Sequence, residues 1–167
     1  MSASTRTVDS PIGPLRIEVG EGRLHAIVFC DADSRPVPER AATPEDQQVL
    51  DATAAQLAEY FAGERRDFDL PLKVRGGTTF QHQVWGSLRR IPWGTTSSYG
   101  QLAGGLGLTG HGSRAVGAAN GRNPIPIVVP CHRVIGADGS LTGYAGGLER
   151  KQWLLAHERG EQPLPLT

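Results

Sequence analysis

Apolar and polar residues alternate early in the chain. Leu15, Ile17 and Val19 are separated by charged residues, Gly20-Glu21-Gly22 makes a turn, and Leu24 to Phe29 is again mostly apolar. A period of two on both sides of a glycine turn predicts a β-hairpin. The period then lengthens. Val49, Leu50, Ala54, Leu57, Ala58 and Phe61 recur at helical spacing after Thr43-Pro44-Glu45-Asp46. There Thr43 is the expected cap, Pro44 suits the first helical position, and the two acids sit at the positive end of the helix dipole. Gly63 closes this helix. Phe68, Leu70, Leu72 and Val74 alternate once more, and Pro71 predicts an edge strand or a strand's end.

Gly76-Gly77 reads as a linker, and the pattern after it is helical. Thr79 is the expected cap of a helix containing Phe80, Val84, Trp85 and Leu88, which Ile91-Pro92-Trp93-Gly94 breaks. Ser97 or Ser98 caps a second helix with Tyr99, Leu102, Ala103 and Leu106. Ser113 caps a third, short helix through Asn120. Two short helices joined by a Gly-rich loop predict a helix-turn-helix. From Asn123 to Pro130 three prolines forbid a helix, and Ile125, Ile127, Val128 and Val129 predict a buried extended segment. A last helix is expected from Leu148 to Glu158, with a loose tail after Arg159. The expected fold class is α/β of the α+β kind. A small N-terminal antiparallel sheet domain with one helix (1–75) precedes a mostly helical domain containing the helix-turn-helix (76–167).

Composition narrows the setting. The chain has 167 residues, 38% apolar and 20% charged, which fits a folded protein of one domain or two small ones sharing a core. No apolar run approaches ~20 residues and the start lacks the apolar stretch of a secretory signal, so no membrane partner is expected. Only Cys30 and Cys131 are present, far apart, which points to a reducing, cytoplasmic compartment rather than a disulfide framework. The net charge of zero hides a split. Residues 1–75 hold nine basic and thirteen acidic residues, and residues 76–167 hold eight and four. From Leu70 to Ala137 there is no Asp or Glu, while Lys73, Arg75, Arg89, Arg90, Arg114, Arg122 and Arg133 all fall there. A basic stretch in a neutral chain suggests a polyanion partner met by one face.

Three segments carry candidate chemistry. Gly105-Leu106-Gly107-Leu108-Thr109-Gly110 fits the dinucleotide fingerprint, but a helix precedes it and no acid follows until Asp138, so it reads as a loop. The third helix, Ser113 to Gly121, offers Ala, Gly and a single Arg where a major-groove reader offers several long polar side chains. Small residues suit either a tight helix–helix contact or entry into a minor groove only ~6 Å wide. Pro130-Cys131-His132-Arg133 is the densest chemistry. A nucleophilic cysteine works as thiolate, and a base or a positive neighbour must help to form it. His132 and Arg133 are such neighbours, provided the chain bends there or a water bridges them, since adjacent side chains of a strand point apart. Glu149 and Glu158 are the candidate carboxylates to orient His132. Cys30, in an apolar run, reads as a packed thiol.

These residues together resemble the O6-alkylguanine-DNA alkyltransferase family. Pro130-Cys131-His132-Arg133-Val134-Ile135 is similar to its active-site motif, and Arg114-Ala115-Val116-Gly117 with Asn123-Pro124 to its recognition helix and asparagine hinge. Ile91-Pro92-Trp93-Gly94, Ser98-Tyr99-Gly100-Gln101-Leu102-Ala103, Gly143-Tyr144-Ala145-Gly146-Gly147-Leu148 and Trp153-Leu154-Leu155-Ala156-His157-Glu158 follow in the family's order. Asp9-Ser10-Pro11-Ile12-Gly13 is similar as well. The resemblance implies single-turnover, direct-reversal DNA repair, with Cys131 accepting the alkyl group from O6-alkylguanine. O4-alkylthymine stays open as a second substrate. It implies that His132 takes the thiol proton through a water, Glu158 holds His132, and Asn123 braces the turn. The lesion would be flipped out through the minor groove. Arg114 would fill the gap, and Tyr99 would press on the 3′ phosphate and help neutralise the leaving guanine. Tyr144 would stack on the base, the Ala145 N–H would meet O6, the Val134 carbonyl would face the exocyclic amine, and Pro126 would line the alkyl pocket. Ser113, Ala115, Gly117, Ala118 and Arg122 complete the expected DNA face. The N-terminal part is implied to be a ribonuclease H-like supporting domain. No cofactor is implied, since the substrate carbon and the protein sulfur are the only reactants. The implied partner is double-stranded DNA carrying O6-alkylguanine, met by a monomer, with clustering on DNA left open.

Three positions depart from the family pattern. The loop Leu108-Thr109-Gly110-His111-Gly112 is richer in glycine than usual and lacks the common proline. Trp93 stands where tyrosine is frequent. His25 matches one ligand of the zinc site some members carry, but no cysteine accompanies it, so no metal is expected. A lesion-binding relative without transfer, a thiol hydrolase using Cys131, His132 and Glu158, and a plain helix-turn-helix regulator are the competing expectations.

Overall fold

A computed structural model describes residues 3–31, 41–110, 112–141, 143–144 and 146–166. The chain divides into two compact units, one of Met1–Arg75 with Leu164–Thr167, the other Gly76–Pro163. None of the helices among the described residues is long and apolar enough to cross a membrane.

The first unit is built on β1 (Ser4–Val8), β2 (Leu15–Gly20) and β3 (Arg23–Phe29), an antiparallel sheet in the order β1-β2-β3. The predicted hairpin is β2–β3. Its turn needs left-handed backbone at two successive residues, Glu21 (φ 55°) and Gly22 (φ 70°), which fits a hairpin turn of that handedness. Helix α1 (Pro44–Phe61) packs on the sheet and starts as expected, with the Thr43 hydroxyl accepting from the Asp46 N–H. Its buried stripe is rotated by one position from the predicted one. Val49, Leu50, Thr53, Leu57 and Tyr60 are buried, whereas Ala54, Ala58 and Phe61 are not. Thr53 can turn inward because its hydroxyl donates to the Val49 carbonyl at 2.7 Å. The expected strand over 68–74 is not formed. Only a single parallel bridge joins Leu24 to Leu72, with the Leu24 N–H donating to Pro71 O and the Lys73 N–H to Leu24 O. Pro71 has no N–H, so the pairing cannot extend through it. The tail returns to this unit, the Leu166 N–H donating to Pro11 O at 2.7 Å.

In the second unit, α2 (Thr79–Leu88), α3 (Tyr99–Gly105) and α4 (Gly112–Gly121) are followed by a single 3₁₀ turn (Cys131–Arg133) and α5 (Leu148–Glu158). The cap of α2 shifts by one residue: Thr78, not Thr79, caps it in a reciprocal pair with Gln81. Of the two serines expected to cap α3, Ser98 does so, in the same kind of pair with Gln101. Ser113 lies one residue inside α4 rather than capping it, and His111 before it is outside the described residues. Helices α3 and α4 pack together as the helix-turn-helix pattern requires. A short parallel pair joins β4 (Ser97–Ser98) to β5 (Val134–Ile135), so Val134 leaves the 3₁₀ turn directly into pairing with Ser97.

Residues 123–130 are buried except for the half-buried Pro124, as expected, but they are not extended. They form a chain of turns. The Val128 N–H reaches Pro126 O at 2.9 Å across Ile127, whose φ is +73°. The Cys131 N–H reaches Val129 O at 2.8 Å across Pro130, whose φ and ψ of −81° and 66° make an inverse γ-turn. A β-branched residue at positive φ is strained and persists only where its surroundings fix it.

Candidate active site

Three elements converge on Cys131. Helix α4 ends against α2, where the Trp85 indole N–H donates to Ala119 O at 2.9 Å. The next residue, Asn120, is buried, and its amide donates to Cys131 O at 3.3 Å. Asn123 then pins the turns. Its Nδ2 donates to Val129 O at 2.7 Å, and its Oδ1 accepts from the Ile125 N–H at 3.0 Å. These bonds close the loop across the strained Ile127 and fix where Cys131 emerges. Replacing Asn123 with alanine strands the buried Ile125 N–H, at ~1–3 kcal/mol, and removes one of the two hydrogen bonds on Val129 O, worth ~0.5–1.5 kcal/mol. A stability loss of about 2–4 kcal/mol in denaturant melts and a clear fall in thiol reactivity are the expected outcome.

The tight turn answers the geometric question posed by adjacent Cys and His. Cys131 and His132 sit on a 3₁₀ turn, not on a strand, and both are buried. His132 Nε2 lies 2.8 Å from Glu158 Oε2. Of the two candidate carboxylates, Glu158 is thus the one on His132, while Glu149 is exposed at the start of α5. Burial alone pushes the Glu158 carboxyl up, but the hydrogen bonds and charges of His132 and Arg133 outweigh it and hold it well below the usual carboxylate range. Glu158 is therefore an acceptor, and His132 Nε2 carries the proton. Burial also pushes His132 down, against the pull of Glu158, so the ring is neutral. Its other nitrogen, Nδ1, is then a lone pair. It is buried and has no hydrogen-bond partner among the described residues. The arrangement leaves one buried basic nitrogen next in sequence to the thiol.

Arg133 does something other than expected. Its side chain is not aimed at the thiol; Nε and Nη2 clamp Glu158 at 2.8 and 3.0 Å, and Nη1 donates to Ile91 O at 2.6 Å. The planar guanidinium suits such a two-point grip on a carboxylate. Beside Glu158, His157 stacks on Trp153 at 5.0 Å and meets Trp93 edge-on at 5.4 Å, which packs the last turn of α5.

Burial pushes the Cys131 thiol up. Hydrogen bonds from Asn123 and Tyr144 and the charge of Lys151 pull in the opposite direction. Tyr144 thus sits at the thiol with its hydroxyl buried. Pro126 and Val134 are buried in the same unit. Ala145 lies outside the described residues. Two residues escaped the reading of the sequence. Asn120 gave no signal beyond its place at a helix end. Lys151 did give one: it shares a helical stripe with Leu154, Leu155 and Glu158, and it is fully buried.

The other expected residues form a separate, exposed surface. On α4, Ser113, Arg114, Ala115 and Ala118 are exposed, while Val116, Ala119 and Asn120 face inward. Gly117 meets the ring of Tyr99, the first residue of α3; a β-carbon there would lie 3.7 Å from that ring. Arg122 is exposed just past the end of α4.

Comparison with known proteins places this arrangement. Residues 79–160 match the model of the 6-O-methylguanine DNA methyltransferase DNA-binding domain, and residues 5–74 match that of the family's ribonuclease-like domain. The chain is 50% identical over 162 residues to the methylated-DNA–protein-cysteine methyltransferase of Mycolicibacterium paratuberculosis, covering 97% of this chain and 96% of that one. It is 46% identical to the protein of that name from Methanosarcina acetivorans, over 90% and 94% of the two chains. Its fold is similar to the crystal structure of Mycobacterium tuberculosis OGT in complex with DNA, with a TM-score of 0.81 and 47% identity over 96% of this chain and 95% of that one. Matches to both domain models in order, and near-half identity along almost the whole length, show that this chain belongs to the 6-O-methylguanine DNA methyltransferase family.

Proposed function

We propose that this protein repairs alkylated DNA by direct reversal, moving the alkyl group of O6-alkylguanine onto Cys131 once per molecule. The observation that carries the reading is the buried Cys131–His132–Glu158 set, in which His132 presents an unpartnered basic nitrogen while its far nitrogen is held by Glu158. In the step this supports, the thiol proton passes to His132, through a water, and the Cys131 sulfur attacks the alkyl carbon. The S–C bond forms as the C–O bond breaks, its electron pair goes to guanine, and guanine takes up a proton. The balance is one thiol proton moved to guanine and one alkyl group moved to sulfur. A thioether is a poor leaving group, so the protein does not return to its starting state.

The partner in this reading is duplex DNA, supported by the DNA complex of the mycobacterial relative. The exposed face of α4 carries Arg114, Ala115 and Ala118, with no acid on the helix. So small a surface suits the minor groove, where few bases are read and sequence preference is low. We assign Arg114 to the space left by a flipped base and Tyr99, packed on Gly117, to the adjoining phosphate and the leaving guanine. Tyr144, Pro126 and Val134 are assigned to the base and alkyl pocket. The first unit is assigned support.

Intact-protein mass after incubation with an oligonucleotide containing O6-methylguanine tests the proposal. One added methylene per molecule, on Cys131, is expected; no gain in mass refutes it. Arg114→Ala is expected to slow repair in duplex DNA by roughly ten- to a hundredfold, as loss of help with a flip costing a few kcal/mol, and to leave attack on free O6-benzylguanine nearly unchanged. Equal loss on both substrates removes Arg114 from flipping.

A further inference from the structure

Asn120 has no part in the scheme above, yet its side chain reaches the nucleophile. It lies near the end of α4, is 2% exposed, and its Nδ2 donates to Cys131 O at 3.3 Å. A carbonyl oxygen can only accept, so this bond fixes which end of the planar amide is which. Oδ1 is the atom left over. It is buried and has no hydrogen-bond partner among the described residues. His132 stands on the other side of the same peptide bond. Its Nε2 meets the Glu158 carboxylate, which accepts, so in the neutral ring Nε2 carries the proton and Nδ1 is a lone pair. Nδ1 is likewise buried and without a partner among the described residues.

Two orphan acceptors thus flank the Cys131–His132 peptide, one anchored to its oxygen and one carried by its second residue. Each costs ~1–3 kcal/mol if left unsatisfied. They cannot satisfy each other, because neither has a hydrogen to give. A molecule with two hydrogens to donate satisfies both, and buried water does this for stranded polar groups in protein interiors. With both hydrogens so used, the lone pairs of that water are left to accept from the Cys131 thiol.

We propose that Asn120 is a positioning residue that holds the water between Cys131 and His132, its Oδ1 accepting one O–H so that the other points at His132 Nδ1. The proposal rests on the reading in which the thiol proton passes to His132 through a water. As the sulfur gives up its proton, that proton moves to the water oxygen, and the water hydrogen facing Nδ1 moves to His132. The water is regenerated, and the hydrogen held by Asn120 does not move. Without Asn120 the water is free to turn its hydrogens away from Nδ1.

A crystal structure of the wild type is expected to show an ordered water within ~3.2 Å of both Asn120 Oδ1 and His132 Nδ1. A protein donor on Oδ1, or no water joining the two atoms, overturns the proposal. The kinetic check uses iodoacetamide, which alkylates a thiol without DNA. Asn120→Leu, close to asparagine in shape, is expected to slow alkylation of Cys131 about tenfold or more at pH 7, as a part of the ~10²–10⁴ that a positioned base contributes. The two rates should converge at high pH, where the thiol ionises without help. Tyr144 and Lys151 near the thiol, and Arg133 and Glu158 behind His132, are the same in both proteins. In a His132→Gln protein the same substitution is expected to have no further effect, since the water then has no base to serve. A loss equal at every pH, a loss as large in the His132→Gln protein, or no loss at pH 7 overturns the proposal. Asn120→Ala substitutes if the leucine variant does not fold. Failure of these tests with alkyl transfer intact removes only the role of Asn120, whereas absence of transfer in the wild type removes the functional reading.

Discussion

Replacing Cys131 with serine is expected to abolish alkyl transfer while leaving the fold and binding to duplex DNA intact. The substitution is nearly isosteric at a site with 4% exposure, and the Asn123 and Tyr144 side chains beside the sulfur can serve a hydroxyl as well. Nucleophilicity is what is lost. A thiol can be ionised by a nearby base and is intrinsically reactive toward carbon, whereas a serine hydroxyl without a strong base is inert to an alkyl ether. The expected fall is roughly four orders of magnitude or more, below detection in a mass assay. A mass gain on any other residue, Cys30 included, overturns the assignment of Cys131. Retained binding to a lesion-bearing duplex, measured by fluorescence anisotropy, separates lost chemistry from lost folding.

Replacing Glu158 with glutamine is expected to have the largest effect on stability. The side chain keeps its shape but no longer carries the charge that pairs with Arg133, and a buried pair broken on one side costs ~3–5 kcal/mol. That corresponds to roughly 6–20 °C in thermal midpoint for a chain of this size. Transfer should fall by about a hundredfold or more as well, since the imidazolium formed when His132 takes the thiol proton loses its partner. The pH dependence gives a sharper check. The folded carboxyl lies well below its unfolded value of ~4.3, so the unfolded chain binds the proton more readily. This contribution to stability is complete above ~4.3 and is lost as pH falls further. His132, held neutral by burial, is also depressed in the folded state, and its contribution is lost as pH falls below ~6.5. Wild type should therefore lose stability in two stages on acidification, and Glu158→Gln should lack the lower one. Denaturant melts from pH 7 to pH 3 check this; an unchanged lower stage means that Glu158 is not held as an anion.

The Cys-His pair shows where local pattern falls short. An extended reading of residues 123–130 followed from three prolines and a run of β-branched residues, and on such a strand Cys131 and His132 would point apart. The turns form instead because Asn123 supplies from its side chain the hydrogen bonds that the prolines cannot make. Nothing local distinguishes an asparagine that closes a loop from one that is merely in it. Arg133 is a similar case: adjacent to the cysteine in sequence, it is used on Glu158, 25 residues away.

The short-range features are legible in the residues alone: the β2–β3 hairpin from its alternation and glycine turn, α1 from its period and ends, and the order of motifs that resembles the family. These depend on dihedral preference and on period, which are properties of neighbouring residues. Tertiary packing sets which face of α1 is buried, that residues 68–74 make a bridge and not a strand, which carboxylate meets His132, and that Lys151 lies buried on α5. Each depends on what is packed opposite: hydrogen bonding across a gap, compensation of a buried charge, and the direction in which a side chain leaves its helix.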